Sequence, residues 1–375
     1  MSRFVCLGAD CPDHCCAGWK VELFSDEYHS VKQFLDSKNN ECTDLSSVMK
    51  IEECIETDSR SNRIFFKQSK GLCAMQTSTG LCGLQEKMGH SALPSTCSSF
   101  PRAHFAWKKG GDEPSIHQIG GYLSCSEVAR AVLDEDEECL GLMESDNQHL
   151  IRLDACFEDS SSIYVQSYFK LQSYFLSFLE ENGLHRFLSH TASFASFSPA
   201  FFNKHSSSSL EDILNRAQQR SSFTDRSADI YTRLLILYQK VPNLPYPKAL
   251  DVHDRVLKNL SVFGLSAWVE QDRNLLKDQK YTTLWTRLIQ YELLERPYLL
   301  FTDFYDYWLG FLIRWHLFRA YLIVEPQPSH LLLSYVERIM EHSSFRQTVT
   351  KEILSLLIPA YDQMRSLAFV EVGEG

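Results

Sequence analysis

No cysteine lies beyond Cys156 in this chain of 375 residues. Uncharged hydrophobic runs are missing too. The longest apolar stretch, residues 298–324, is interrupted by Asp303, Asp306, Arg314, His316 and Arg319, which excludes a membrane span. Positive charge is in deficit: the formal net charge is −11 and no basic stripe is present, so nucleic acid is not an expected partner. Lys108-Lys109 beside Gly110-Gly111 reads as a hairpin tip. Residues 1–5 carry no basic segment followed by an apolar run, so no secretory signal is visible and a cytoplasmic location is expected. A glycine-rich turn between a strand and a helix is absent, which argues against a doubly wound cofactor domain. Paired C-x2-C hooks are absent as well, which argues against an ordinary zinc ribbon.

What the chain does have is a crowded beginning. Ten of its twelve cysteines fall within the first 125 residues. The densest run is Cys6-x4-Cys11-x3-Cys15-Cys16, followed by Ala17-Gly18-Trp19; Cys73, Cys82, Cys97 and Cys125 follow. A chain of this size can bury a large core and does not need disulfide staples. Thiols placed so unevenly point instead to segments tied to a soft metal, either zinc or an iron–sulfur cluster. Cys42, Cys54, Cys139 and Cys156 read as ordinary core cysteines in acidic sequence. The vicinal pair Cys15-Cys16 does not readily aim both sulfurs at one ion. It suggests two metals, one ligand beside a buried thiol, or redox chemistry.

Gly71-Leu72-Cys73 and Gly80-Leu81-Cys82 form a near-repeat nine residues apart. Glycine before a ligand allows a tight turn and a close approach; a plain hairpin with two apolar strand ends is the simpler alternative. Further on, Pro94 and Pro101 bracket Cys97 and predict an irregular segment. Residues 80–102 thus read GLC-x2-Q-x3-G-x3-L-x2-TC-x2-FPR. With the opening cysteine run and Leu123-Ser124-Cys125-Ser126-Glu127-Val128-Ala129-Arg130, this resembles the bacterial flagellin lysine-N-methylase family, and more distantly the small zinc- or iron-chelating cysteine-cluster domains. The resemblance covers roughly residues 1–135. Two departures stand out: only five residues precede Cys6, which suits a shortened start, and Ser126 stands where proline is more usual.

The resemblance implies a methyltransferase that moves methyl groups from S-adenosylmethionine to lysine side chains of flagellin. It also implies an iron–sulfur cluster, of the 4Fe-4S type, with zinc as the alternative metal. Its ligands would come from Cys6, Cys11, Cys15, Cys16, Cys73, Cys82, Cys97 and Cys125, of which one four-iron cluster needs about four. The cluster would either hold the donor's amino and carboxylate groups or brace the fold. The three-cysteine hook of radical enzymes is absent, because Cys16 follows Cys15 directly. A polar transfer is therefore expected, in which the substrate lysine, with a reference pKa near ~10.4, first loses its proton. A non-enzymatic metal- or redox-sensing module is the competing reading, since the thiol pair alone would permit it.

The fold expected is mainly α, with an irregular cysteine-rich module over residues 1–135 packed on a helical, aromatic-rich domain over residues 158–375. Ser160-Ser161-Ser162 suits a helix start and Asn182-Gly183 a helix stop. Residues 192–209 read as a loop, residues 229–240 as a helix, and Pro242, Pro245 and Pro247 as a linker. Phe304, Trp308, Phe311, Leu312, Trp315 and Phe318 recur at helical spacing and predict a core helix, or an aromatic wall beside the alkylated amine. His316 on that helix reads as a core histidine before a catalytic base.

Overall fold

The computed structural model describes residues 6–18, 20–37, 51–108, 116–134, 155–158, 167–201, 209–219, 227–238, 247–296, 304–325, 329–341, 345–356 and 362. Trp19, Cys42, Cys139, Ser160 to Ser162, Pro242 and Pro245 lie outside them, and so does the chain between Lys108 and Ile116. The protein is mainly helical, as its periodicity predicts.

The N-terminal part is built from small pieces. Strands β1 (Glu22–Leu23), β2 (Ile55–Thr57) and β3 (Ile64–Phe66) form an antiparallel sheet with β3 in the centre. Strands β4 (Gln68–Ser69) and β5 (Leu72–Cys73) form a hairpin across Lys70 and Gly71, whose φ values of 52° and 81° are both positive. That is the turn whose twist matches a two-residue hairpin. Helices α1 (Ser25–Ser37), α2 (Ile51–Cys54), α3 (Gly83–Met88) and α4 (Ser95–Ser99) complete this part. Pro94 caps α4, so the proline-bracketed segment is a short helix where the prolines suggest none; a proline just before the first turn costs no helical hydrogen bond. Val21, Leu23, Val31, Cys54, Phe66, Met75 and Leu84 form a small core here, and Cys73, Cys82 and Cys97 pack against it.

A second sheet lies beyond it. Strand β6 (Arg102–Lys108) pairs antiparallel with β7 (Ile116–Gly121) and parallel with β8 (Ala155–Glu158), followed in sequence after β7 by α5 (Ser126–Leu133). This layer joins the main core through Ala103, Phe105, Leu123, Val128 and Val132. Gly120 meets the side chain of Glu295: a Cβ there would stand 2.4 Å from the carboxylate, so no larger residue fits unshifted. Tyr291 exchanges hydrogen bonds with the backbone of Gly121, which fastens β7 to the helical layer.

The helical layer comprises α6 (Tyr168–Phe201), α7 (Leu210–Gln219), α8 (Ser227–Tyr238), α9 (Pro247–Lys277), α10 (Gln279–Glu295), α11 (Phe304–Val324), α12 (Ser329–Glu341) and α13 (Phe345–Leu354). The stop at Asn182-Gly183 is present as a break, Gly183 having φ 73°, after which α6 resumes and runs through residues 192–201. The loop read there is thus helix, because Phe194 and Ala195 are buried in the core and that packing outweighs the run of serines. Pro247 opens α9 as its first residue, a position that needs no N–H donor.

Helix α11 is the centre. Apart from Asp306, every residue from Phe304 to Leu322 is buried. Its charged residues are paired inside the fold. Arg314 reaches Glu292 at 2.6 Å and Glu337 at 3.2 Å, and Arg319 reaches Asp272 at 2.7 Å. Such pairs are costly to break, since the survivor is left as a buried lone charge. Among the described residues no helix is long and apolar enough to cross a membrane. Trp308, Trp315 and Phe318 are fully buried packing residues, so the aromatic stripe is core.

Three buried histidines, His190, His253 and His316, are held below the ordinary imidazole range by burial, His190 at about 4. The unfolded chain therefore binds more protons than the folded one below pH ~6.5. Stability from these groups is fully present above that pH and is lost as pH falls, for His190 until about pH 4. Asp272 is raised by burial and acts in the opposite sense. Urea titrations between pH 7 and 4 should show falling stability, and His190→Gln should flatten the slope by up to one proton. An unchanged slope in that variant would contradict the assignment.

Candidate functional site

The eight cysteines singled out by spacing, Cys6, Cys11, Cys15, Cys16, Cys73, Cys82, Cys97 and Cys125, all line one cavity of about 130 Å³. A single water needs ~10–15 Å³, so this space takes a body much larger than one ion. Cys54 lines no part of it and is fully buried in the small core, as a plain core cysteine should be. Cys156 stands in β8, and Cys42 and Cys139 are outside the described residues.

Each thiol arrives on a different local device. A 3-10 turn at Gly8–Asp10 delivers Cys11, whose thiol donates to the Asp13 carbonyl at 3.2 Å and stands 3.7 Å from the Ser126 hydroxyl. The segment from Cys16 to Gly18 then pairs with the hairpin edge. Cys73 N–H donates to Cys16 O at 2.9 Å, Gly18 N–H donates to Gly71 O at 2.9 Å, and Ala17 pairs with Leu72. This places the vicinal pair beside Cys73. The loop Thr77–Gly80 closes with Gln76 paired to Cys82, which caps α3. The two Gly-Leu-Cys triplets thus share one cause: Gly71 and Gly80 both have positive φ, at 81° and 84°. Cys97 lies within α4, and Cys125 caps α5.

Six of the lining thiols, Cys11, Cys15, Cys73, Cys82, Cys97 and Cys125, are held above the ordinary thiol range. Burial pushes Cys73 and Cys125 up to about 12, and Cys97 well above the ordinary range. Cys11 and Cys82 are raised for the same reason. Cys15 is raised first by its hydrogen bond with the Cys16 thiol and then by burial. Backbone amides oppose the shift at three places. Met75 donates to Cys73, Leu84 and Gln85 donate to Cys82, and Glu127 and Val128 donate to Cys125. The thiols also raise one another. Cys97 feels Cys73, Cys82 and Cys15; Cys73 feels Cys82, the core cysteine Cys54 and Cys15; Cys82 feels Cys15. A second group joins Cys125, Cys11 and Cys15. Cys15 belongs to both.

Spacing alone misses Asp13 and His14 on the cavity wall; Gln85, the glutamine of the GLC-x2-Q motif, also lines it. It also gives no sign that Cys15 and Cys16 both line the same space and are joined by a thiol–thiol hydrogen bond. Among the described residues, no three His, Cys, Asp or Glu side chains already converge as a single-ion site. The His14 ring lies against Gly80, where a Cβ would stand 2.7 Å from Cε1. Gly89 has the same φ of 84° with nothing within 4 Å. Gly80→Ala should therefore destabilise by strain plus a clash, and Gly89→Ala, whose ψ of 178° lies in a region essentially reserved for glycine, by strain alone, about 1–3 kcal/mol. Thermal unfolding checks this; if adding His14→Ala to Gly80→Ala restores no stability, His14 yields freely.

No family model matches this chain, and no solved structure matches it. It is 32% identical over 170 residues to the flagellar biosynthetic protein FliU of Salmonella muenchen, a match covering 44% of this chain and 92% of that protein. It is 32% identical over 148 residues to a lysine-N-methylase of Salmonella typhimurium strain LT2, covering 38% of this chain. A lysine-N-methylase of Salmonella choleraesuis matches at 31% over the same length. The chain spans 33% of the length of each of these two methylases. With nearly the whole of the flagellar protein matched at this identity, and a cysteine cavity assembled from the motifs that carry the resemblance, the chain belongs to the flagellin lysine-N-methylase family.

Proposed function

We propose that this protein is a lysine N-methyltransferase that uses S-adenosylmethionine to methylate flagellin, and that its thiol cavity holds a four-iron iron–sulfur cluster. The observation that carries the metal part is the convergence of eight thiols on a cavity larger than one ion requires. Relatives named for lysine methylation and for flagellar biosynthesis support the rest.

The donor set fits such a cluster. Thiolates are its usual ligands, and four are needed. We assign Cys15, Cys73, Cys82 and Cys97, because all four line the cavity and act on one another; Cys54, which also raises Cys73, is not in the lining. Loading must displace the protons these thiols hold, so uptake should be favoured by higher pH. Held by all four, such a cluster would brace the loops; held by three of them, it would leave one iron open as a Lewis acid for the donor's amino and carboxylate groups. A zinc site would draw four sulfurs to ~2.3 Å from one centre.

For the transfer itself, the lysine nitrogen must be neutral and in line with the methyl group, which is a positioning task. The redox-sensor reading draws on the contact between Cys15 and Cys16. It is disfavoured because reactive thiols are tuned down, whereas Cys11, Cys15, Cys73, Cys82, Cys97 and Cys125 are all pushed up.

Flagellin co-expressed with the protein should carry methylated lysines by mass spectrometry. Cys97→Ser should abolish the modification together with bound iron, while Cys139→Ser should leave both intact. With purified components the rate should rise with pH towards the lysine pKa of ~10.4. Unmodified flagellin beside soluble, iron-loaded protein would reject the methylase reading.

A further inference from the structure

We infer that Arg338 is a positioning residue that sets one wall of the thiol cavity from the helical layer. It lies on α12, far from every cysteine motif in sequence, and its side chain is 7% exposed. Its guanidinium donates to four backbone carbonyls: Ser124 O at 3.0 Å, Ala17 O at 3.2 Å, His14 O at 3.3 Å and Asp13 O at 3.4 Å. It also pairs with the Asp13 carboxylate at 3.0 Å. One turn earlier, Ser334 reaches the same carboxylate at 3.4 Å.

The acceptors are the backbone that carries Cys11, Cys15 and Cys125. Asp13 and His14 lie between Cys11 and Cys15, Ala17 follows Cys16, and Ser124 precedes Cys125. One planar, fixed-charge fork therefore ties together two segments that share no strand pairing, a geometry that suits arginine and not lysine. The opposite wall is held differently. Cys73, Cys82 and Cys97 pack on the small N-terminal core and depend on the hairpin and on α3 and α4. The cavity thus sits on a seam, with one wall fastened to the helical layer through Arg338 and the other standing on its own core.

The inference rests on the cavity being the working site, but not on which metal it holds. The test is peptide-resolved alkylation by iodoacetamide of the protein as purified, followed by mass spectrometry. In Arg338→Gln, Cys11, Cys15 and Cys125 should be alkylated faster by roughly tenfold, the scale of losing a charged clamp on a local opening equilibrium. Cys73, Cys82 and Cys97 should keep their wild-type rates, and so should Cys54, which reports global unfolding. Arg338→Lys keeps the charge without the fork and should give a smaller rise at the same three thiols; it decides the matter if the glutamine variant does not fold. A parallel rise at all seven thiols, or no change at any, would overturn the inference. Iron and sulfide analysis of the same samples reports separately on the cluster, so its absence would not be mistaken for failure of the clamp.

Discussion

Everything at the cavity depends on one pairing, in which the chain at Cys16–Gly18 lies against the edge of the Leu72–Cys73 strand. The hydrogen bonds from Cys73 N–H to Cys16 O and from Gly18 N–H to Gly71 O set the opening cysteine run against the later thiols. The pairing needs a hairpin turn with two positive φ values, which Lys70 and Gly71 supply. Backbone geometry, more than apolar burial, therefore brings the first thiols to the later ones. The small core of seven residues is modest support, and Phe66 and Met75 belong to it while also lining the cavity.

The second constraint is electrostatic. Thiols gathered in a half-buried space resist ionising, both because water is excluded and because each sulfur repels charge on the next. The fold answers at specific points, with amides aimed at Cys73, Cys82 and Cys125 and with the Arg338 guanidinium near Cys15. A cation supplied by a metal centre would complete what those donors begin. The helical layer is the rigid partner in this arrangement. Its central helix is enclosed by the bundle, and its arginines are locked to Glu292, Glu337 and Asp272.

Much of this was legible in the sequence, for local reasons. The Gly-Leu-Cys repeat announces a left-handed backbone before each sulfur, because few other residues tolerate it. The eight spaced cysteines announce a shared site, and the period of Phe304, Trp308, Phe311 and Trp315 announces a core helix. Other features were hidden because their causes are distant. The contact between Asp13 and Arg338 spans 325 residues, and nothing near either end marks it. The helix through residues 192–201 has a loop-like run of serines and is held by tertiary burial of Phe194 and Ala195. Helix α4 hides between two prolines because Pro94 stands just before its first turn, where proline removes no helical hydrogen bond.

The central claim is that the thiols converge in order to hold a multi-iron cluster. Native mass spectrometry of anaerobically purified protein tests it most directly. The account predicts a mass excess of roughly four irons and four sulfides per chain, the complement of one cluster on four cysteines. A single zinc, or the bare chain from carefully protected preparations, would contradict it.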